Sequence, residues 1–273
     1  MLAGIGLMSY PYLANYINNK FAVNIITDYQ KTVDNTDEKE LKNMIDMATA
    51  YNNSLPGAFP ADPFSGSNIS KEAKVDYKDF FMIQKNAMVG YVEVPKVNIY
   101  LPIYYGTDDE VLNKGVGLIE NSSLPVAGKS THAVLSAHTG LPSQELFTGI
   151  ENLDKGDVFF IHVLNKTYAY KVNQIVVVLP EETEELMIQK DKTYVTLLTC
   201  TPYGINTHRL LVRGEYDPDY DFSSEEYKEL TKKENYDWIW MAVIGGVVVS
   251  GIVIVIVKKR KKKKTEEKVE HEE

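Results

Sequence analysis

The sequence contains a single cysteine and only three arginines among its 273 residues. One cysteine excludes an intramolecular disulfide and a zinc cluster built from cysteines, so packing must stabilise the fold. No histidine pair has the His-x-x-x-His spacing and the carboxylates form no metal-binding loop motif, so we expect neither a metal nor a cofactor. The net charge is −9, and this acidic bulk argues against a nucleic-acid partner.

The N-terminal segment lacks the basic residue that normally precedes the apolar run of a signal peptide or a first membrane helix. Residues 1–17 are largely apolar, and we expect them to be a truncated membrane or signal helix. The alternative is a short buried helix, since the run is shorter than the roughly 20 residues that span a bilayer. Residues 18–55 are predicted to be helical from recurring apolar residues such as Phe21 and Ile25, with a polar hinge at Asp34–Glu40. These helices would hold the next domain away from the membrane.

A segment rich in proline, glycine and serine follows at residues 56–71 and favours a long loop. A loop of this length is either a lid over a binding site or a plain linker. It contains Asp62, Pro63 and Phe64, which bring a carboxylate and an aromatic ring close together in the chain. If the loop is a lid, the carboxylate could pair with an arginine while the ring covers a thiol.

Residues 72–216 contain eight short runs of β-branched and aromatic residues, separated by glycine, proline and Asn-Lys turns. Eight such runs predict a mainly β fold that closes into a barrel. A short helix is predicted around Gln144–Asn152. The predicted strands are Tyr91–Val94, Val97–Tyr105, Val116–Ile119, Ala133–Ala137, Val158–Leu164, Thr167–Leu179, Tyr194–Cys200 and Arg209–Tyr216.

The only cysteine, Cys200, ends one predicted strand, and Arg209 begins the next after a turn at Pro202–Gly204. If the two strands are neighbours, the arginine lies beside the thiol. A cation there lowers the pKa of the thiol and favours the nucleophilic thiolate. A lone cysteine is more often a small buried hydrophobe, but the strand end and the arginine favour chemistry.

Four of the five histidines lie in the predicted β region. His138 follows a predicted strand and precedes a turn-rich loop, so we expect its imidazole at the rim of the barrel. His132 is the second candidate, whereas His162 and His208 could be structural. A thiolate, an imidazole and a guanidinium together suit attack on a peptide carbonyl. No residue that would orient His138 can be identified, so a papain-like triad is not supported.

The run Thr196–Cys200, TLLTC, resembles the signature of the sortase family, and Arg209 has the spacing typical of it. The continuation Thr201–Gly204 and the triplet Asp62–Phe64 resemble the class C, pilus-building branch and its lid. Ala137 differs from the glycine that is common before the histidine in this class. The resemblance implies an eight-stranded β-barrel.

The resemblance also implies the roles of the site residues. Cys200 would be the nucleophile, His138 the general acid and then base, and Arg209 the group that stabilises the oxyanion or positions the substrate. The implied reaction cleaves an LPxTG-like sorting signal between Thr and Gly and joins the acyl group to a lysine amine of another pilin subunit. One alternative is a housekeeping sortase that attaches proteins to the cell wall. The other is a membrane-tethered β-barrel binding module with an inert cysteine.

The C-terminal part of the chain changes composition three times. Residues 217–237 are acidic and rich in tyrosine, which predicts a solvated linker. Residues 238–257 are uncharged and mostly β-branched, which predicts a transmembrane helix. The basic run that opens residues 258–273 predicts a cytoplasmic tail, an extracellular catalytic domain and contact with acidic membrane lipid.

Overall fold

The computed structural model describes residues 2–55, 64, 88–232 and 246. Eight strands form one closed barrel, and each coincides with a predicted strand, so the mainly β, eight-stranded fold is confirmed. The strands are β1 (Met88–Val94), β2 (Ile99–Tyr105), β3 (Val116–Leu118), β4 (Thr131–Ser136), β5 (Val158–Val163), β6 (Lys166–Val178), β7 (Thr193–Thr201) and β8 (His208–Tyr216). Their order around the barrel is β1-β2-β3-β4-β7-β8-β6-β5.

Strands β4 and β7 are parallel neighbours in the centre of this order. Because parallel neighbours need a long crossover, the chain forms β5 and β6 before it returns to pair β7 with β4. The C-terminal ends of β4 and β7 therefore lie at the same rim of the barrel. Strand β8 runs antiparallel to β7, so its N-terminal end lies at that rim too.

Alternate residues of these three strands face opposite sides of the barrel wall. One set is buried in the main core: Ala133 and Leu135 of β4, Val195 and Leu197 of β7, and Leu210 and Val212 of β8. The other set contributes to a second apolar cluster, which we call the outer cluster. It consists of Ile119, Val134, Val178, Leu186, Leu198 and Leu211.

Helix α1 (Leu2–Asp34) packs against the barrel through an apolar stripe. Ala22, Ile26, Tyr29 and Val33 recur every three or four positions and are all buried. Phe21, which the sequence suggested for this face, is instead 61% exposed, because the stripe passes one position to its side. The predicted helix is confirmed, and its buried stripe belongs to the main core.

Tyr29 also makes polar contacts between α1 and the barrel. Its hydroxyl accepts a hydrogen bond from the backbone N–H of Leu164 at 2.8 Å and lies 3.2 Å from the carbonyl oxygen of Val89, to which it donates. Two backbone groups of the barrel thus depend on one helix side chain. Burial raises the pKa of Tyr29, so the hydroxyl stays protonated and can donate.

Helix α2 (Glu38–Ser54) follows a short turn at the predicted polar hinge and starts at an N-cap, Asp37. The carboxylate of Asp37 accepts a hydrogen bond from the backbone of Lys39 at 2.8 Å. At the other end, the buried amide of Asn52 exchanges two hydrogen bonds with the backbone of Leu124, at 2.8 and 3.0 Å. Both helices therefore belong to the same folded unit as the barrel.

The first described side chains of α1 are exposed. Tyr10, Tyr12 and Leu13 are 58%, 69% and 41% exposed, so a short buried helix at this end is wrong for these positions. Pro11 lies inside the helix without ending it. Within the described part of the chain, no helix combines the length and the apolar character that crossing a membrane requires.

The loop after β4 contains less helix than the sequence suggested. Only Ile150–Asn152 form a helical turn, of the 3-10 type, so the helix predicted over Gln144–Asn152 is wrong for most of its length. Gly149, with a φ of 103°, precedes this turn and prevents a longer helix. A short helix, α3 (Asp109–Leu112), lies between β2 and β3.

The chain divides into two units, Met1–Phe222 and Ser223–Glu273. The first extends past the predicted start of the linker, because the backbone N–H of Asp217 bonds to the carbonyl of Ala169 at 2.9 Å. The ring of Phe222 lies 6.1 Å from that of Phe160. The boundary predicted at residue 217 therefore moves to residue 222.

In the second unit the structure describes α4 (Glu225–Leu230), which Ser224 caps through a hydrogen bond from the backbone of Tyr227 at 3.1 Å. The predicted transmembrane helix at 238–257 lies outside the described residues, apart from Gly246. The predicted tail at 258–273 also lies outside them.

Candidate active site

Three of the predicted site residues lie in one row across neighbouring strands at the rim. Cys200 of β7 is paired directly with Arg209 of β8, which confirms that the two side chains are neighbours. On the other side of β7, Ser136 of β4 pairs with Leu198. Two residues further along both parallel strands, His138 reaches the level of Cys200. The three side chains also share the face of the barrel wall that carries the outer cluster, which we call the outer face. Each of them lies an even number of positions along its strand from a residue of that cluster.

Cys200 and Arg209 are both buried, with exposed fractions of 8% and 5%. The guanidinium of Arg209 donates from Nη1 to the carbonyls of Asn206 and His208, both at 3.1 Å. These bonds hold the head of the arginine at the start of β8. A fixed, buried cation at this point favours a thiolate and a developing oxyanion.

His138 is half-buried in the loop that follows β4. Burial lowers the pKa of His138, while the nearby carboxylate of Asp109 acts in the opposite direction. The neutral imidazole is therefore favoured near neutral pH, and a neutral imidazole can accept a proton. Asp109 is the first residue of α3, and no sequence pattern indicated it.

Hydrogen bonds fix the backbone on both sides of His138. The hydroxyl of Thr199 donates to the carbonyl of Ala137 at 2.8 Å, which ties β7 to the residue before the histidine. The backbone N–H of Phe147 donates to the carbonyl of His138 itself at 3.1 Å. The imidazole therefore projects from a fixed part of the loop.

Phe64 lies against two members of this row, His138 and Arg209. Its ring centre lies 5.4 Å from that of His138, and the Cζ atom of Arg209 lies 5.2 Å from the ring centre. The second distance is typical of a cation–π contact. Phe64 also packs against the outer cluster. The other two residues of the candidate lid, Asp62 and Pro63, lie outside the described residues, as does the rest of the loop at 56–71.

The second candidate, His132, is buried at the opposite end of β4, with an exposed fraction of 0%. Its Nε2 lies 2.7 Å from Thr196 Oγ1 and its Nδ1 3.0 Å from the carbonyl oxygen of Met187. Burial lowers the pKa of His132 to about 4. With both nitrogens engaged inside the protein, this histidine is structural.

The other two histidines of the barrel region also lie outside the row. His162 is buried and stacks on Tyr91 with ring centres 4.2 Å apart. Its Nδ1 lies 2.9 Å from Thr167 Oγ1 and its Nε2 3.3 Å from Glu93 Oε2. His208 engages Thr207 Oγ1 through Nδ1 at 2.9 Å.

Sequence reasoning missed two features beside the row. The first is the outer cluster. Its sequence signal is that β4, β7 and β8 carry apolar residues on both of their faces. The second is Tyr203, which is 65% exposed and packs over Gly140 in the loop after His138. A side chain at Gly140, where φ is 77°, would approach that ring to 3.1 Å. The loops after β4 and β7 are thus in contact.

No group of three or more histidine, cysteine or acidic side chains is placed to hold a metal ion within residues 2–55, 64, 88–232 and 246. The groups that remain are a thiol beside a cation, an imidazole and an adjoining apolar surface. Together they define a class of protein, one that can form a covalent intermediate through a cysteine on a closed β-barrel.

Comparison with known proteins gives the family. A model of the sortase domain matches residues 92–217. Sortase A of Staphylococcus aureus (strain NCTC 8325 / PS 47) is 34% identical over 143 residues, which cover 50% of this chain and 67% of that protein. Sortase A of Streptococcus agalactiae serotype III (strain NEM316) is 30% identical over 154 residues, or 54% of this chain and 62% of the relative.

Solved structures agree with these relatives. Sortase C of Streptococcus pneumoniae is 42% identical, with a TM-score of 0.66, over 71% of this chain and 97% of that one. Sortase C1 of Streptococcus agalactiae is 44% identical, with a TM-score of 0.66, over 72% of this chain and all of the other. The chain belongs to the sortase family.

Proposed function

We propose that this protein is a cysteine transpeptidase that cleaves an LPxTG-like sorting signal at the Thr-Gly bond. The observation that carries the proposal is the row of Cys200, His138 and Arg209 at the ends of three neighbouring strands. The outer cluster adjoins this row and offers an apolar surface to the Leu and Pro of the signal.

In the proposed reaction the neutral imidazole of His138 first takes the proton of the Cys200 thiol. The thiolate then attacks the threonine carbonyl, and Arg209 stabilises the oxyanion that forms. The C–N bond breaks, and the imidazolium of His138 gives its proton to the departing glycine amine. A thioester remains on Cys200. An incoming amine then attacks the thioester, His138 takes a proton from it, and the thiolate leaves as the new amide forms.

We propose a lysine amine of a second pilin subunit as the acceptor. Two observations support a pilin-joining enzyme. The Streptococcus pneumoniae relative at 42% identity has been described for catalysis and pilin substrate specificity. Phe64 lies against His138 and Arg209, which suits a lid, although the sequence predicted a ring over the thiol and a carboxylate beside the arginine. Phe64 would leave this position before a substrate enters.

We further propose that the catalytic domain is extracellular and that residues 238–257 anchor it in the membrane. The support comes from the sequence, in which an uncharged segment of spanning length is followed by a basic run at residues 258–264. This run would contact acidic lipid on the cytoplasmic side.

The test is incubation of the full chain with a pilin that carries an LPxTG-like tail, with Cys200→Ala as the control. We expect a ladder of lysine-linked products by mass spectrometry, absent from the control. Cleavage without lysine linkage would indicate another acceptor, as in a cell-wall-anchoring sortase. The proposal is wrong if neither the wild-type chain nor Phe64→Ala gives a product that depends on Cys200.

A further inference from the structure

Ser136 carries a hydroxyl that makes no hydrogen bond with any residue that the structure describes. The residue is completely buried, with an exposed fraction of 0%. A buried hydroxyl without a partner is costly, since the protein gives up its hydrogen bonds to water and gains none in return. Such a group in a well-packed wall suggests a partner that is present only in another state of the protein.

Other buried serines show that this wall can satisfy a hydroxyl. Ser122 donates to the carbonyl of Ile119 at 2.7 Å and accepts from the backbone of Val134 at 3.2 Å. Ser123 accepts from the backbone N–H of His132 at 3.0 Å. Ser136 differs from both, although it lies on a neighbouring stretch of the same barrel wall.

The position of Ser136 relates its hydroxyl to the candidate site. It lies on β4 between Val134 and His138, and all three side chains share the outer face by strand alternation. Its partner across the ladder is Leu198, two residues before Cys200. Val134 and Leu198 both belong to the outer cluster against which Phe64 packs. The hydroxyl therefore points to the surface that Phe64 covers, and an apolar ring offers it no hydrogen-bonding group of its own.

We propose that Ser136 is a binding residue for the peptide substrate and that its hydroxyl donates a hydrogen bond to a main-chain carbonyl of the sorting signal. This inference rests on the proposed function and extends it to one further contact. Ser136 lies two residues before His138, a distance of about 7 Å along a strand. The carbonyl that it binds therefore lies about two residues before the scissile bond of the sorting signal. When the peptide displaces Phe64, the hydroxyl of Ser136 loses an apolar neighbour and gains a carbonyl oxygen as hydrogen-bond acceptor.

A main-chain contact of this kind recognises any residue at that position of the signal. It fixes the peptide's register along β4 and β7 instead of selecting a side chain. Because the contact lies away from the reacting bond, it stabilises the bound peptide and the transition state about equally. Its loss should therefore raise KM and leave kcat nearly unchanged.

The test compares Ser136→Ala with its parent in a Phe64→Ala background, so that lid displacement does not enter the comparison. We expect kcat/KM for a peptide containing an LPxTG-like signal to fall about 3- to 10-fold, through KM. The rate of Cys200 alkylation by a small reagent should not change. Tm should stay the same or rise by about 2 to 4 °C, since a hydroxyl without a partner is removed.

Ser123→Ala is the matched control, because its hydroxyl already has a partner inside the barrel. We expect the opposite pattern, a lower Tm with KM unchanged. The proposal is overturned if Ser136→Ala leaves KM within twofold of its parent. It is also overturned if alkylation of Cys200 slows together with turnover, since the serine would then act through the thiol.

A second measurement separates this inference from the proposed reaction. Calorimetric binding of the same peptide to Cys200→Ala/Phe64→Ala, with and without Ser136→Ala, requires no catalysis. A 3- to 10-fold higher Kd for the triple variant supports the contact even if the proposed acceptor is wrong. An unchanged Kd overturns the contact even if the enzyme polymerises pilins.

Discussion

Strand β4 presents two histidines on the same face, His132 near its start and His138 just past its end. Six residues of strand separate them by about 20 Å. His132 is enclosed by the protein and both of its ring nitrogens contact protein oxygens. His138 is half-buried and lies at the level of Cys200, beneath the ring of Phe64. Position along one strand thus separates a structural histidine from a candidate catalytic one.

The two imidazoles also differ in how they can use a proton. Burial lowers the pKa of His132 to about 4, so its neutral form is fixed throughout the physiological range. Burial lowers the pKa of His138 as well, but Asp109 opposes the change and the ring reaches a rim where substrates can bind. Only His138 is placed to exchange protons during a reaction.

The largest expected effect is the loss of turnover in His138→Ala. Without the imidazole, the departing amine receives no proton and the incoming amine loses none. We expect kcat/KM for sorting-signal cleavage to fall by about 10³-fold, as for other general acid–base residues. Tm should change little, since the ring is only half-buried. Cleavage within tenfold of wild type would contradict the assignment and remove the contrast with His132.

The second effect concerns stability and should appear in His132→Ala. Removing this ring leaves a cavity and deprives Thr196 and Met187 of a partner. We expect the free energy of unfolding to fall by about 3 kcal/mol, as measured by urea denaturation. Specific activity per folded molecule, determined by titrating the thiol, should remain close to wild type. A variant that is fully stable but inactive would reverse the roles of the two histidines.

The third effect is a pH dependence of stability that belongs to His132. Its pKa is about 4 in the folded protein and about 6.5 in an unfolded chain. The unfolded state therefore binds more protons between these values, and stability falls as pH decreases through this range. We expect a loss of about 2 kcal/mol between pH 7 and pH 5 from this residue.

Urea denaturation at several pH values in wild type, His132→Gln and His138→Gln measures this contribution. Other titrating groups contribute to the same curve, so the relevant quantity is the difference between wild type and variant. The difference should be large for His132→Gln and small for His138→Gln. Equal pH dependence in wild type and His132→Gln would show that His132 does not stay neutral in the folded protein.

The smallest effect is expected when the cover over His138 is removed in Phe64→Ala. Loss of the ring exposes the imidazole, so the pKa of His138 should rise toward its ordinary value, while that of His132 should not move. Alkylation of Cys200 should become severalfold faster. The pKa values can be followed by NMR titration of the two imidazoles. Unchanged alkylation would contradict the role of Phe64 as a lid.

Much of the barrel was predictable because its strands are short, rich in β-branched residues and separated by clear turns. The pairing of Cys200 with Arg209 was predictable because a short loop joins their two strands. The position of His138 at the rim of the barrel was predictable from the turn-rich sequence that follows it. These features are local, and local patterns are what a sequence displays directly.

The features that were missed depend on contacts between distant parts of the chain. The apolar stripe of α1 could be recognised as amphipathic, but not as part of the barrel's core. The outer cluster combines residues of β4, β6, β7 and β8 with Ile119 and Leu186, which only the barrel topology brings together. The orphan hydroxyl of Ser136 could not be foreseen, since a missing hydrogen bond is visible only when all neighbours are in place.

The two hydrogen bonds of Tyr29 limit how far this protein can be shortened. The region that matches the sortase domain begins at residue 92, after Val89 and long after Tyr29. A recombinant fragment cut there would lose the tyrosine and expose the side of the barrel that α1 covers. Such a fragment should be prone to aggregation and to proteolysis, even though it keeps Cys200, His138 and Arg209. The smallest fragment of this enzyme that folds stably should therefore be longer than the matched sortase domain.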